Sequence, residues 1–134
     1  RVGVHLAPRG DANDAGDSDP RSLFTRVAGE LGKRRLAFIF LREREGPDSL
    51  LGELKQAFGG AVIANEGFTP ESAEAAIAEG RADAVAWGKG FIANPDLVAR
   101  IGAGAPWNEL DMKTIYGVGG LGPVGYTDYP RLGG

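Results

Sequence analysis

The sequence predicts a parallel α/β fold built from four β/α units. Three observations carry this. Short apolar runs alternate with helix-period segments along most of the chain, and nearly every segment stops at a glycine or a proline. The strand candidates are also apolar on both faces, the pattern of a parallel sheet covered by helices.

"RVGVHLAP" (1–8) alternates Val2, Val4 and Leu6 with Gly3, His5 and Ala7, a strand pattern closed by Pro8. After the polar loop "RGDANDAGDS", Asp19-Pro20 opens a helix, because the fixed φ of proline suits a first turn. Leu23, Phe24, Val27 and Leu31 share its apolar face, and Gly32 can end it. "LAFIFL" (36–41) is an apolar run of strand length. Pro47 leads into a second helix with Leu50, Leu51, Leu54 and Phe58 on one face, stopped by Gly59-Gly60. "AVIA" (61–64) is the third strand, and Thr69-Pro70 starts an alanine-rich helix that runs to Glu79-Gly80. "ADAVAW" (82–87) is the fourth strand. A short apolar step follows, and Asn94-Pro95 starts the fourth helix, which ends near Gly102. Residues 1–104 thus form the four units. Residues 105–134, rich in Gly, Pro and Tyr, form an ordered extension of the same domain, packed by its aromatics.

Four such units make either a small open sheet or half of an eight-stranded barrel, which takes about 250 residues when complete. Periodicity alone does not separate the two. A chain beginning at Arg1 within a strand favours the half-barrel, whose unpaired sheet edges invite oligomerisation or aggregation.

With 134 residues, 43% of them hydrophobic, the chain can bury one ordinary core. Its net charge of −3, with both signs interspersed, points away from nucleic acid and membrane surfaces. The absence of cysteine excludes disulfides, thiolate metal sites and a thiol nucleophile, and fits a cytoplasmic protein. No apolar run approaches the ~20 residues that a membrane-spanning helix needs.

Ligands of parallel α/β folds sit at the C-terminal ends of the strands. Four unusual segments stand there: "HLAPRGD", "FLRERE", "IANEGFT" and "AWGKGF". Gly67 and Gly88 can bring bare backbone N–H groups up to an anion, and Lys89 adds a positive charge. The plainer alternative makes both glycines turn residues and Lys89 a solvated charge. A P-loop is absent, as is a Gly-x-Ser-x-Gly elbow. His5, the single histidine, is either a hydrogen-bonded core residue or a ligand contact, and no second His or Cys completes a zinc site. Asp11, Asp14, Asp17 and Asp19 lack the glycine and distal glutamate of a calcium loop, so a solvated loop is expected. For Tyr126 and Tyr129 the expectation is packing that pins the tail down.

"VIANEGFTPESAEAAIAEGRADAVAWGKGFIANPDLVAR" together with the terminal "GYTDYP" resembles the C-terminal part of the Old Yellow Enzyme family. These are FMN-dependent ene reductases, and the likeness is greatest to the bacterial N-ethylmaleimide and alkene reductases. It extends from "RVGVHLAPRGD" to "GYTDYPRL". It implies strands five to eight of a (β/α)8 TIM barrel with their helices and the C-terminal extension. It also implies an FMN cofactor reduced by NADPH or NADH, and ping-pong hydride transfer to the β-carbon of an α,β-unsaturated carbonyl compound or maleimide. By position, the backbone of Glu66 and Gly67, with Gly88 and Lys89, would hold the FMN phosphate. Lys89 stands where many members carry Arg, keeping the charge but losing the bidentate fork. His5 stands where many members place an Arg that contacts the flavin ring, and Tyr116 matches a tyrosine lining the substrate pocket. The residues that bind the substrate carbonyl and donate the proton belong to the N-terminal half. The resemblance therefore implies no catalytic residue in this chain, and a partner in the missing half of the barrel. Two other readings stay open: a non-catalytic half-barrel that binds a phosphate-bearing ligand, and a truncated remnant that only oligomerises.

Overall fold

A computed structural model describes residues 1–10, 16–115 and 122–133. Two compact units divide the chain, Arg1–Ala86 and Trp87–Gly134.

The first unit is a four-stranded sheet in the order β1-β2-β3-β4, with every neighbouring pair parallel. Its elements are β1 (Gly3–Leu6), α1 (Pro20–Lys33), β2 (Phe38–Arg42), α2 (Leu51–Phe58), β3 (Ala61–Asn65), α3 (Pro70–Ala78) and β4 (Ala84–Ala86). Consecutive strands are neighbours because each is followed by a helical crossover, the connection that parallel pairing requires. The local signals act as chemistry dictates. Asp19 caps α1 by accepting from the Ser22 amide at 3.1 Å, ahead of Pro20 in the first turn. Thr69 and Ser72 form a reciprocal capping box at the start of α3. Gly59 ends α2 at φ +66°, a left-handed position suited to glycine.

One face of the sheet is the core. Ile39, Leu41, Val62 and Ala64 point to it, and they are buried together with Ala28, Leu51, Leu54, Phe58, Ala73 and Ala76 of the helices. The apolar face of α2 is as the sequence predicts. That of α1 is not, because Leu23 is 41% exposed and Ala28 is the residue that is fully buried. The opposite face of the sheet carries Gly3, His5, Phe38, Phe40, Arg42, Ala61, Ile63 and Asn65, half-buried or exposed.

The second unit holds α4 (Gly88–Ala93), α5 (Leu97–Ala103) and α6 (Met112–Ile115). Two expectations are corrected here. Residues 88–93 form a helix rather than an apolar step, and the next helix begins at Leu97 after Asp96 instead of at Asn94-Pro95. The reason is that Asn94 is already engaged. It is 1% exposed, its Nδ2 donates to the Gly90 carbonyl at 2.9 Å, and its Oδ1 accepts from the Asn108 amide at 2.6 Å. Pro95 and Asp96 make a turn, closed by the Leu97 amide on the Asn94 carbonyl at 3.0 Å. Among the described residues no helix is long and apolar enough to cross a membrane.

Gly32 gives a packing test. A Cβ added there would stand 2.2 Å from the Phe58 carbonyl oxygen, a backbone atom that cannot swing aside. Gly32→Ala gains up to about 1 kcal/mol of helix propensity but overpacks the α1–α2 contact, which costs about 1–3 kcal/mol or more. Urea unfolding should show a net loss of about 1–2 kcal/mol. A variant as stable as the parent would mean that the two helices do not pack this closely.

Candidate functional site

The site residues of the first unit gather at the C-terminal end of the sheet because all four strands run the same way. Register defines the rows of the exposed face. His5 lies beside Phe40, Phe40 beside Ile63 and Ile63 beside Ala84; one step further toward the exits, Arg42 lies beside Asn65 and Asn65 beside Ala86. His5 meets the Phe40 ring edge-on, with centroids 4.8 Å apart and planes at 67°. Asn65 Nδ2 donates to the Ala86 carbonyl at 2.7 Å, joining the exits of β3 and β4.

Beyond β3 the backbone turns through Glu66 at φ +88° and Gly67 at φ +85°. Such a conformation costs a non-glycine residue of the order of 1–3 kcal/mol, and it is the kind of strain that collects at ligand sites. The Glu66 carboxylate lies 3.4 Å from Arg42 Nε.

The exits of β1 and β2 are fastened by one buried acid. Glu43, 4% exposed, accepts from Arg9 Nε at 2.9 Å, Ser49 Oγ at 3.1 Å and the Leu50 amide at 2.8 Å. Arg9 also reaches the Arg44 carbonyl and the Asp48 carboxylate. Hydrogen bonding from Arg9, the largest cause, holds the Asp48 carboxyl below its ordinary value of 3.8.

In the second unit, Gly88 and Lys89 open α4, and the N-cap Trp87 offers no side-chain acceptor to the first N–H groups. A Cβ on Gly88 would meet nothing within 4 Å, so its backbone is open to approach. Gly90 does the opposite, fitting under Trp107, which stands edge-on to Trp87 at 6.1 Å between centroids. Backbone donors at a helix start, a bare glycine and a lysine suit a phosphate-sized anion.

The segments "FIANPDL" and "GYTDYP" meet in this unit. Arg100, 5% exposed, donates to Asp96 Oδ1 at 2.8 Å and to the carbonyls of Pro106 and Pro130 at 2.7 and 2.9 Å. Asn108 Nδ2 donates to the Ala93 and Pro130 carbonyls at 2.7 and 2.8 Å. Asp96 Oδ2 accepts from the Leu132 amide at 2.7 Å. Tyr126 donates to the Ile115 carbonyl at 2.7 Å, and the Tyr129 hydroxyl accepts from the Asp111 amide at 2.9 Å, so both tyrosines pin the tail.

Of the predicted site residues, His5 lies on β1, Glu66 and Gly67 form the turn beyond β3 of the same sheet, and Gly88 and Lys89 open α4 of the second unit. Tyr116, like Asp11 and Asp14, lies outside the described residues. Sequence reasoning missed Arg42, Glu43, Asn94 and Arg100. For Arg42 a signal was present: it continues the every-second-residue alternation of Phe38 and Phe40 onto the face of His5.

With the geometry in hand, comparison adds the relationship. No protein-family model matches the chain. It is 37% identical over 138 residues to a probable flavin mononucleotide-dependent alkene reductase of Leishmania infantum, a match covering 98% of this chain and 36% of that protein. Morphinone reductase, solved in complex with tetrahydroNAD, matches with a TM-score of 0.87 and 39% identity over 98% of this chain and 36% of its own. The old yellow enzyme homologue from Zymomonas mobilis has a TM-score of 0.87 and 34% identity over 96% of this chain and 38% of its own. The fold is accordingly half of a (β/α)8 barrel. The chain belongs to the Old Yellow Enzyme family, matching the C-terminal part of its members. It spans between a third and a half of the length of the curated relatives it matches, 35–45%.

The tail gives a pH test. The Leu132 amide first, then Arg100, hold the Asp96 carboxyl below its ordinary 3.8. A depressed folded value means that the tie is intact above the unfolded value and is lost as pH falls through the folded one. Hydrogen exchange at the Leu132 amide, corrected for its intrinsic rate, should therefore lose protection only below about pH 4. In Asp96→Asn, protection should be reduced at neutral pH and flat across that acidic window.

Proposed function

We propose that this chain forms the C-terminal part of an FMN-dependent NAD(P)H oxidoreductase that reduces activated C=C bonds. The substrates are α,β-unsaturated carbonyl compounds or maleimides, and the scheme is ping-pong. The observation that carries the reading is the 37% identity, across 98% of the chain, to a protein described as a flavin mononucleotide-dependent alkene reductase. Bound FMN would supply the redox chemistry, hydride transfer between NADPH or NADH and the β-carbon of an activated alkene.

The residues of this chain bind and orient. The backbone N–H groups of Gly67 and Gly88 and the Lys89 ammonium hold the phosphate. Glu66 contributes its backbone there, while its carboxylate is drawn toward Arg42, 3.4 Å away, and does not oppose the anion. His5, held by its edge contact with Phe40 on the exposed sheet face, would contact the flavin ring. Tyr116, which lies outside the described residues, would belong to the substrate pocket on family resemblance alone. The groups that polarise the substrate carbonyl and deliver its proton come from the N-terminal half of the barrel, the partner that this chain requires.

Fluorescence titration and steady-state assay test the reading together. The chain alone should bind FMN weakly and show no NADPH-dependent reduction of an activated alkene, and adding the N-terminal half should restore both. Lys89→Ala in that assembly should weaken FMN binding about tenfold, close to 1.4 kcal/mol. FMN uptake without hydride transfer in the completed barrel would favour a non-catalytic binding module. Unchanged affinity in Lys89→Ala would return the lysine to solvent.

A further inference from the structure

Among the described residues, one buried side-chain donor has no hydrogen-bond acceptor, and it belongs to a cation of the first unit. Arg9 is absorbed by Glu43, Asp48 and the Arg44 carbonyl, and Arg81 pairs with Glu79 and Glu45. Arg42 differs. Its Nε is shielded from solvent, yet no described residue accepts its hydrogen. Glu66 Oε2 is a charge neighbour at 3.4 Å, outside hydrogen-bonding geometry. A buried donor without an acceptor is costly to keep, and such groups in a folded protein call for a missing partner.

Position says what that partner is. Arg42 ends the strand between β1 and β3 and stands on the exposed sheet face, with Asn65 as its register neighbour. Its guanidinium reaches toward Gly10 beyond β1, where an added Cβ would stand 3.7 Å from Nη2, and toward Glu66 beyond β3. Three strand exits thus converge on one cation. Directly beneath it on the same strand and face is the flat Phe40 ring, with His5 edge-on at 4.8 Å. An aromatic floor beside a planar fork of donors suits a flat ring that carries acceptor oxygens along one edge.

We propose that Arg42 is a binding residue for the oxygen-bearing edge of a planar heteroaromatic ligand, donating through the Nε–H that no described residue accepts. The proposal rests on the FMN reading, which identifies that ligand as the flavin ring and places its phosphate on other residues. Glu66, a charge neighbour at 3.4 Å, then helps aim the guanidinium without consuming its donor.

Riboflavin, which has the ring and no phosphate, separates the roles. In the barrel completed by its N-terminal half, Arg42→Gln should weaken riboflavin and FMN by the same factor, about tenfold, the scale of one charged hydrogen bond. Arg42→Lys, which keeps the charge but loses the fork, should recover only part of this. Lys89→Ala should weaken FMN and leave riboflavin unchanged. The Arg42 Nε–H resonance of the parent, read in a nitrogen-edited spectrum, should move on adding riboflavin and stay still with inorganic phosphate, so the test holds even if Arg42→Gln unfolds. Parent-like riboflavin affinity in Arg42→Gln, a loss confined to FMN, or an Nε–H signal unmoved by riboflavin would each overturn the proposal. A parent that binds neither flavin would instead bring down the FMN reading, and this proposal with it.

Discussion

Everything at the candidate site follows from parallel pairing. Two parallel strands cannot be joined by a tight turn, so each crossover must return the chain to the same end of the sheet. The helices that do this cover one face and bury Ile39, Leu41, Val62 and Ala64. The other face, and every strand exit, are left for something else. His5, Arg42, Asn65 and Glu66 come from three strands and the loops after them, yet they share one end of one sheet through direction and register alone. Nothing in their spacing along the chain announces this.

Two buried polar centres then convert loops into fixed geometry. Glu43 and Arg100 are both nearly inaccessible, and a charge in that setting persists only when it is paired or hydrogen-bonded. Glu43 meets the requirement with three donors from the loops after β1 and β2, and Arg100 with three acceptors from within its own unit. Removing either partner set would strand a charge, so the loops they hold are specified more tightly than their glycine and proline content suggests. The Asn94–Asn108 pair acts likewise without charge, and it is the reason a residue that looks like a helix cap is not one.

This marks what could be read from the sequence. Elements set by local chemistry were legible: the Asp19-Pro20 and Thr69-Pro70 starts, the Gly59 stop and the apolar face of α2. The parallel class followed from apolarity on both faces, and the family from the paired "FIANPDL" and "GYTDYP" segments. Errors fell where a distant partner overrode a local signal. Asn94 was taken by Asn108, and Leu23 yielded the core to Ala28 once α1 met α2. Arg42 and Glu43 are adjacent in a charged run that reads as a solvated loop. Only the pleat separates them, sending Glu43 inward under the helices and Arg42 to the opposite face.

The exposed face is itself graded along the strands, and the grading explains why the site lies where it does. At the entry end Phe38 covers Gly3 so closely that an added Cβ would stand 2.4 Å from its ring, which fills that row with hydrocarbon. The middle row pairs His5 with Phe40, Ile63 and Ala84, and the exit row offers Arg42, Asn65 and Ala86. In a closed barrel this face is the interior, which is packed by layers of side chains and leaves its binding end at the top. A ring-shaped ligand laid over the middle row would rest on Phe40, Ile63 and Ala84 and meet Arg42 and Asn65 at its rim. A glycine at position 3 and an arginine at position 42 are therefore two ends of one arrangement. The first lets the floor close, and the second leaves the mouth with a donor that no described residue satisfies.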